Sequence, residues 1–268
     1  MRNALTLLAT LVLAAAGRTA AADPVEARLL TAPTAWLPPA GALTATASAD
    51  HLGGGAVLLG LGLGGLAAIE LGADSEVRTC TACGEAADER WFPRASFRLG
   101  ARQDAWFRGM PALAIGLKNT FAARGFGAFE EPRVTEAYLV ASRILGPFRL
   151  HAGVVAIAAG FGDLELAPQL RPVGGFEIRL ASLPRSTFIG DVAWTARLEH
   201  EPEPSERRGP RLEAMGGIGA RYQFFRWASI ELGVRVPRDD GLANARAMVR
   251  LNGVWELAAP EKRRLELR

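Results

Sequence analysis

Beyond residue 22 the chain has no run of about 18 consecutive apolar residues, which excludes a membrane-spanning helix there. Cysteine is scarce, with two in 268 residues, and there are three histidines. No sign of charge dominates: the formal net charge is +3, too small to argue for nucleic acid, and the arginines are scattered rather than massed. Helical spacing of apolar residues is almost missing as well. What is present is 49% hydrophobic and 22% charged residues, an ordinary globular composition that argues against disorder. Glycine is in excess at 30 residues, about 11% against an average near 7%.

The first 22 residues have the build of a secretory signal peptide. Arg2 supplies the positive start, residues 4–16 form a short apolar run, and Ala20, Ala21 and Ala22 offer small residues for cleavage before Asp23. A spanning anchor is the competing reading, and the run falls short of the roughly 20 residues such a helix needs. A mature chain that enters a membrane without a spanning helix must do so as a closed barrel, because only then is every backbone polar group paired.

Period-two alternation runs through nearly the whole chain, which is the signature of strands. Residues 243–257 show it most clearly. Ala245, Ala247, Val249, Leu251 and Trp255 share one face, while Arg246, Met248, Arg250, Asn252 and Glu256 share the other. The same split recurs at residues 43–50, 67–72, 95–102, 113–118, 148–154, 176–180, 188–198, 218–224 and 230–235, and more weakly at 57–63 and 135–144. That makes twelve strands. A soluble sandwich alternates too, with its charges outward. Three features favour a barrel: the leader, the connections, and the aromatics.

Short connections are expected at Gly64-Gly65, residues 104–110, Gly146-Pro147, 181–185 and 225–227. Long ones are expected at 74–93, 121–133, 158–169 and 199–210, an alternation typical of outer-membrane barrels. Trp106, Phe107, Phe148, Phe224, Phe225, Trp227 and Trp255 fall near the short-turn ends, and Trp91, Phe92 and Phe121 near the long-loop ends, as two interfacial girdles would. The expected fold is all-β: one transmembrane antiparallel up-and-down barrel of about twelve strands over residues 42–257. It follows a signal peptide at 1–22 and a periplasmic segment at 23–41, and a basic tail at 258–268 comes after it.

With the polar faces turned inward, the charged lining consists of Glu70, Arg98, Arg102, Lys118, Arg149, Glu177, Arg179, Asp191, Arg197, Arg221, Glu231, Arg235, Arg246 and Arg250, together with Asp50, Glu213 and Glu256. Two readings stand: a self-neutralising ladder, or a narrow passage that prefers anions. Twelve strands enclose far less space than the 16 to 18 of porins, and long arginines could close it. Inward glycines (Gly60, Gly62, Gly72, Gly100, Gly116, Gly153, Gly175, Gly217, Gly219 and Gly233) either relieve crowding and let the sheet curve or leave room for a permeant chain.

Cys80 and Cys83 form a C-T-A-C motif in the longest loop, where an oxidising compartment favours a local disulfide. Only acids lie nearby as further metal ligands, so no metal site is expected, and the βαβ setting of a thioredoxin-type motif is missing. His151 faces the lumen, while His51 and His200 sit at strand ends. No serine or cysteine nucleophile is evident beside any of them, so no enzyme and no cofactor are expected, although twelve-stranded barrel hydrolases exist.

Leu30-Thr31-Ala32-Pro33-Thr34-Ala35 followed by Pro39-Ala40-Gly41-Ala42-Leu43 resembles the opening of YjbH-type outer-membrane proteins. Gly60-Leu61-Gly62-Leu63 with Ile69-Glu70-Leu71-Gly72, the segment 111–117, and the segment 138–147 are similar to later strands of that family. The likeness covers roughly residues 29–157. Against that family's pattern, no second domain, lipid-anchor cysteine or terminal aromatic residue is expected here. The resemblance implies a role in exopolysaccharide export. The expected partners are outer-membrane lipid, the barrel-assembly machinery, and a polysaccharide or small anionic solutes. The alternative is a non-conducting structural or adhesive barrel acting through its outer loops.

Overall fold

A computed structural model describes residues 28–75, 78–81, 91–120, 133–161, 164–200, 210–238 and 241–256. The leader, the tail and Cys83 lie outside these residues, as does most of the expected 199–210 loop. Among the described residues no helix is long and apolar enough to cross a membrane.

The strands are β1 (Ala42–Asp50), β2 (Gly55–Leu63), β3 (Ala67–Asp74), β4 (Arg78–Thr81), β5 (Phe92–Ala101), β6 (Ala112–Thr120), β7 (Arg133–Leu145), β8 (Phe148–Phe161), β9 (Leu164–Arg179), β10 (Ser186–His200), β11 (Arg211–Phe225), β12 (Ala228–Pro237) and β13 (Arg246–Glu256). Twelve of them form a closed antiparallel barrel in chain order, with β13 returning to β1 from Ala42↔Glu256 through Asp50↔Met248. The four-residue β4 stands apart and pairs in parallel with the end of β10.

Alternation decides which face is wet and which is dry, and this barrel is inside-out relative to a soluble protein. On β13, Arg246, Met248, Arg250 and Asn252 are buried, whereas Val249 and Leu251 are exposed. Ile69, Leu71, Phe97, Ile115, Leu117, Leu139, Ile218 and Leu232 continue this exposed apolar belt around the wall. A belt of this extent on a protein whose charges are buried fits hydrocarbon, not water. At the turn end, Phe224, Phe225, Trp227 and Trp255 form a row, edge-on, stacked and tilted in turn, with ring centroids 5.1, 5.4 and 5.5 Å apart, as expected of an interfacial girdle.

Both weakly alternating segments are strands, β2 and β7. Four boundaries differ from expectation. The connection expected over 158–169 is mostly strand, because β8 and β9 stay paired as far as Phe161↔Leu164. The loop expected over 74–93 contains β4. The last strand begins at Arg246, after a 3₁₀ turn at Leu242–Asn244. Arg102 lies one residue past the end of β5, exposed and beside Gly65, so it is not a lumen residue.

The largest difference concerns residues 23–41, expected as a periplasmic approach to the barrel. Residues 28–36 run inside it. From Ala42 the chain leads back past Gly62, rises through the lumen, and folds over at mid-height in a tight turn in which Leu29 N–H donates to Ala32 O at 2.8 Å. Leu29, Leu30, Ala32, Thr34 and Ala35 are all buried.

Candidate functional site

The candidate site is the lumen and the segment that fills it. Where strand pairing uses up the wall's backbone groups, only side chains are left to meet the segment. Lumenal side chains therefore hold its backbone. The Asp191 carboxylate on β10 accepts N–H bonds from Thr31 at 2.6 Å and Ala32 at 2.7 Å. Arg250 on β13 donates to the carbonyls of Leu29 at 2.6 Å and Leu30. On β7, Ser142 Oγ accepts from Ala35 N–H at 2.8 Å. Four charge-assisted bonds from two buried ionic side chains are the stronger class of hydrogen bond.

The inward glycines complete this grip. A side chain at Gly175 would collide with Leu29 Cδ1. One at Gly233 would meet Leu30 Cδ2 at 2.9 Å, and one at Gly217 would meet Leu30 Cδ1 at 3.1 Å. The three glycines are a socket for two leucines, a use that neither reading of the glycine excess foresaw. Leu29, Leu30, Ala32, Ile189, Ala193 and Met248 form one apolar cluster there.

Around and beneath this plug the lumenal charges are paired. Glu177 faces Arg221 at 3.2 Å and Arg149 at 3.6 Å, Arg221 reaches Glu231 at 2.6 Å, and Arg250 reaches the other oxygen of Glu231 at 2.9 Å. Towards the loop end, Arg94 bridges Glu70 and Asp74 at 2.7 Å each, and Lys118 meets Glu136 at 2.8 Å. Arg235 and Arg246 share Asp50 at 3.4 Å each, and Arg197 meets Glu213 at 3.5 Å. Arg98 donates to Trp36 O at 3.5 Å, again gripping the plug, and Arg179 lines a small turn-end crevice with Arg149 and Arg221. Fifteen of the seventeen expected lining charges, all but Arg102 and Glu256, take part in the contacts described here. Arg94, Asp74 and Glu136 join them. Arg94 shares parity with Ser96 and Arg98, so extending β5 by three residues would have revealed it.

Ser142 was also missed. Its Oγ lies 2.7 Å from His151 Nδ1, and His151 Nε2 faces Glu177 Oε1 at 3.4 Å without hydrogen-bond geometry. The signal was available: the two-residue turn Gly146-Pro147, with Gly146 at φ +61°, pairs Leu145 with Phe148 and so puts Ser142 directly opposite His151. The expectation that no serine stands beside a histidine is corrected on that register. The serine is occupied by the plug's Ala35 N–H, and Trp36 packs edge-on against the imidazole at 6.1 Å.

Above the plug, on the loop side, is a cavity of about 70 Å³. On this measure one water takes roughly 10–15 Å³, so it holds a handful of waters and no more. Among the described residues no cluster of histidine, cysteine or carboxylate side chains could hold a metal. Cys80 lies in β4 opposite Glu199.

No family model matches the chain, and no curated protein matches it. Among solved structures the chain is similar to the translocator domain of the autotransporter NalP from Neisseria meningitidis, at 14% identity and a TM-score of 0.39, over 80% of this chain and 87% of that one.

Proposed function

We propose that the chain is an outer-membrane β-barrel of a Gram-negative bacterium, with its lumen closed at rest by its own N-terminal segment. The observation that carries this reading is the clasp of residues 29–35 by Asp191, Arg250 and Ser142. The exposed apolar belt supports the membrane setting. The short turns then face the periplasm and the loop end faces outward.

Closure bears on what the barrel does. Solutes or an exported polysaccharide, the role implied by the resemblance to YjbH-type proteins, would need residues 28–36 to leave first. A cavity of about 70 Å³ does not accommodate a sugar chain. The same closure favours the second reading, a non-conducting barrel that acts through its outer loops. Ser142, His151 and Glu177 serve in this account as a clamp on the plug and not as a hydrolase, because the serine oxygen is engaged and the imidazole is covered. Planar-bilayer recording of the refolded chain and of a variant lacking residues 28–36 separates the possibilities. The closed-at-rest reading expects a silent parent and a conducting deletion. Steady conductance by the parent would reject it, and silence in both would favour the non-conducting barrel.

A further inference from the structure

The small crevice at the turn-end mouth of the lumen gathers four arginines, Arg149, Arg179, Arg185 and Arg221, around Thr187 and Gln223. None of the described residues lining it is a carboxylate. Strand register brings these side chains together. Thr187 on β10 stands opposite Arg179 on β9 and opposite Arg221 on β11, so an arginine flanks it on each side. Arg149 on β8 stands opposite Glu177, two residues before Arg179 and on the same face of β9. Arg185 comes from the turn that joins β9 to β10. That turn is pinned, because Arg185 O accepts from Gln223 N–H at 2.8 Å and Ser186 N–H donates to Leu183 O at 2.9 Å.

The nearby carboxylates are already divided. Glu177 Oε2 faces Arg221 at 3.2 Å and Arg149 at 3.6 Å, one oxygen between two guanidinium groups. Glu231 takes Arg221 at 2.6 Å and Arg250 at 2.9 Å. Among the described residues, Arg179 and Arg185 meet no carboxylate at ion-pair distance. Even with Glu231 counted wholly for Arg221, four arginines less two carboxylates leave two positive charges at the crevice. Higher in the lumen the pattern is different: Arg94 alone has Glu70 and Asp74 at 2.7 Å each. Like charges on neighbouring strands repel, and an anion between them turns that repulsion into attraction.

The arrangement also selects the kind of anion. A guanidinium group offers paired N–H donors in a planar fork that suits carboxylate and phosphate alike. A carboxylate holds its oxygens in one plane. Here the donors come from β8, β9, β10, β11 and the β9–β10 turn, and so from several directions, which the oxygens of a tetrahedral anion can meet. Thr187, only 8% exposed, adds a hydroxyl that can donate to one of them. The enclosed space is about 10 Å³, room for roughly one water, so the tip of the anion enters and the rest stays at the mouth. The source of the anion follows from which face is lined. Phe148, Phe176 and Phe188 are exposed on the outward face of the same strands, so a lipid would have to carry its headgroup over the turn to arrive. A soluble anion enters the mouth directly.

We propose that this crevice is a binding site for a small soluble oxyanion of the phosphate class, held by Arg149, Arg179, Arg185 and Thr187 at the turn-end mouth of the barrel. The assignment holds whichever compartment the turn end faces, and it uses none of the groups that clasp residues 29–35.

The test titrates the refolded full mature chain with inorganic phosphate in detergent, in constant excess chloride, by isothermal titration calorimetry. Heat-modifiable gel mobility verifies the folding of every variant. Saturable uptake by the parent is expected. Arg179→Gln/Arg185→Gln should weaken it by about tenfold or more, the loss of at least one charge-assisted bond. Arg102→Gln/Arg226→Gln removes the same charge from exposed positions at the same end, and under this screening should leave the affinity within about twofold. Absence of saturable uptake by the parent overturns the proposal. So does an equal loss in both double variants, which would mark a diffuse basic surface. A second arm reads lipid retained from micelles doped with phosphatidylglycerol, by native mass spectrometry. Retention that Arg179→Gln/Arg185→Gln abolishes, with no uptake of inorganic phosphate, would assign the crevice to a lipid headgroup and overturn the soluble source.

Discussion

Replacing Asp191 with alanine removes the carboxylate that holds two plug N–H groups, at 2.6 and 2.7 Å, in the middle of the barrel. A hydrogen bond to a charged partner contributes about 1.5–3 kcal/mol net, so losing both costs the seated state about 3 kcal/mol at the low end. Alanine leaves no buried charge behind, and the two N–H groups regain water only if the segment withdraws, so the loss falls on the seated state. At about 1.4 kcal/mol per factor of ten, the ratio of withdrawn to seated plug rises about a hundredfold. Leu29 and Leu30 oppose withdrawal with their burial, at about 1.5–3 kcal/mol each, so the change is expected as longer and more frequent openings and not as permanent conduction. Single-channel recording measures it directly as open probability. A folded Asp191→Ala barrel whose open probability equals the parent's would refute the reasoning.

Three further outcomes follow from the same geometry. Gly233→Val places a side chain against Leu30 Cδ2, only 2.9 Å from its first carbon, and should loosen the plug by about 1–3 kcal/mol, seen as faster tryptic cleavage after Arg28. Ser142→Ala leaves Ala35 N–H and His151 Nδ1 without the hydroxyl each now uses, at 2.8 and 2.7 Å, and should lower unfolding stability by about 1–3 kcal/mol; ester hydrolysis equal in variant and parent is the accompanying expectation. In the turn-end loop, the Gly109 N–H bonded to Asp104 Oδ1 at 2.6 Å holds that carboxyl below the ordinary aspartate range, with Gln103 assisting. A lowered folded pKa means the ordering of that loop is fully present above the ordinary aspartate range. It is lost as pH falls through the lowered one, so the Gly109 amide resonance should move only below that range.

Much of the barrel was legible because alternation is a local property: each strand states which of its faces is charged. The turn at Gly146-Pro147 and the aromatic row at Phe224, Phe225, Trp227 and Trp255 were legible because they too are written in neighbouring residues. The plug was not. Residues 28–36 carry no periodicity, and what holds them, Asp191 and Arg250, lies 159 and 221 residues away in sequence, where one strand's pattern says nothing about which backbone group its charge meets. Arg102 shows the converse error, a residue with the right parity carried one position past the end of its strand.

Residues 28–36 occupy the lumen of the folded barrel. The most direct measurement is the maleimide labelling rate of Thr34→Cys in refolded protein in which Cys80 and Cys83 have been replaced by serine, with Trp106→Cys in the same background as the exposed reference. Thr34 is fully buried and Trp106 is 75% exposed. Position 34 is expected to stay protected until the barrel is unfolded by heat. Labelling at the rate of position 106 in the folded, heat-modifiable form would contradict it.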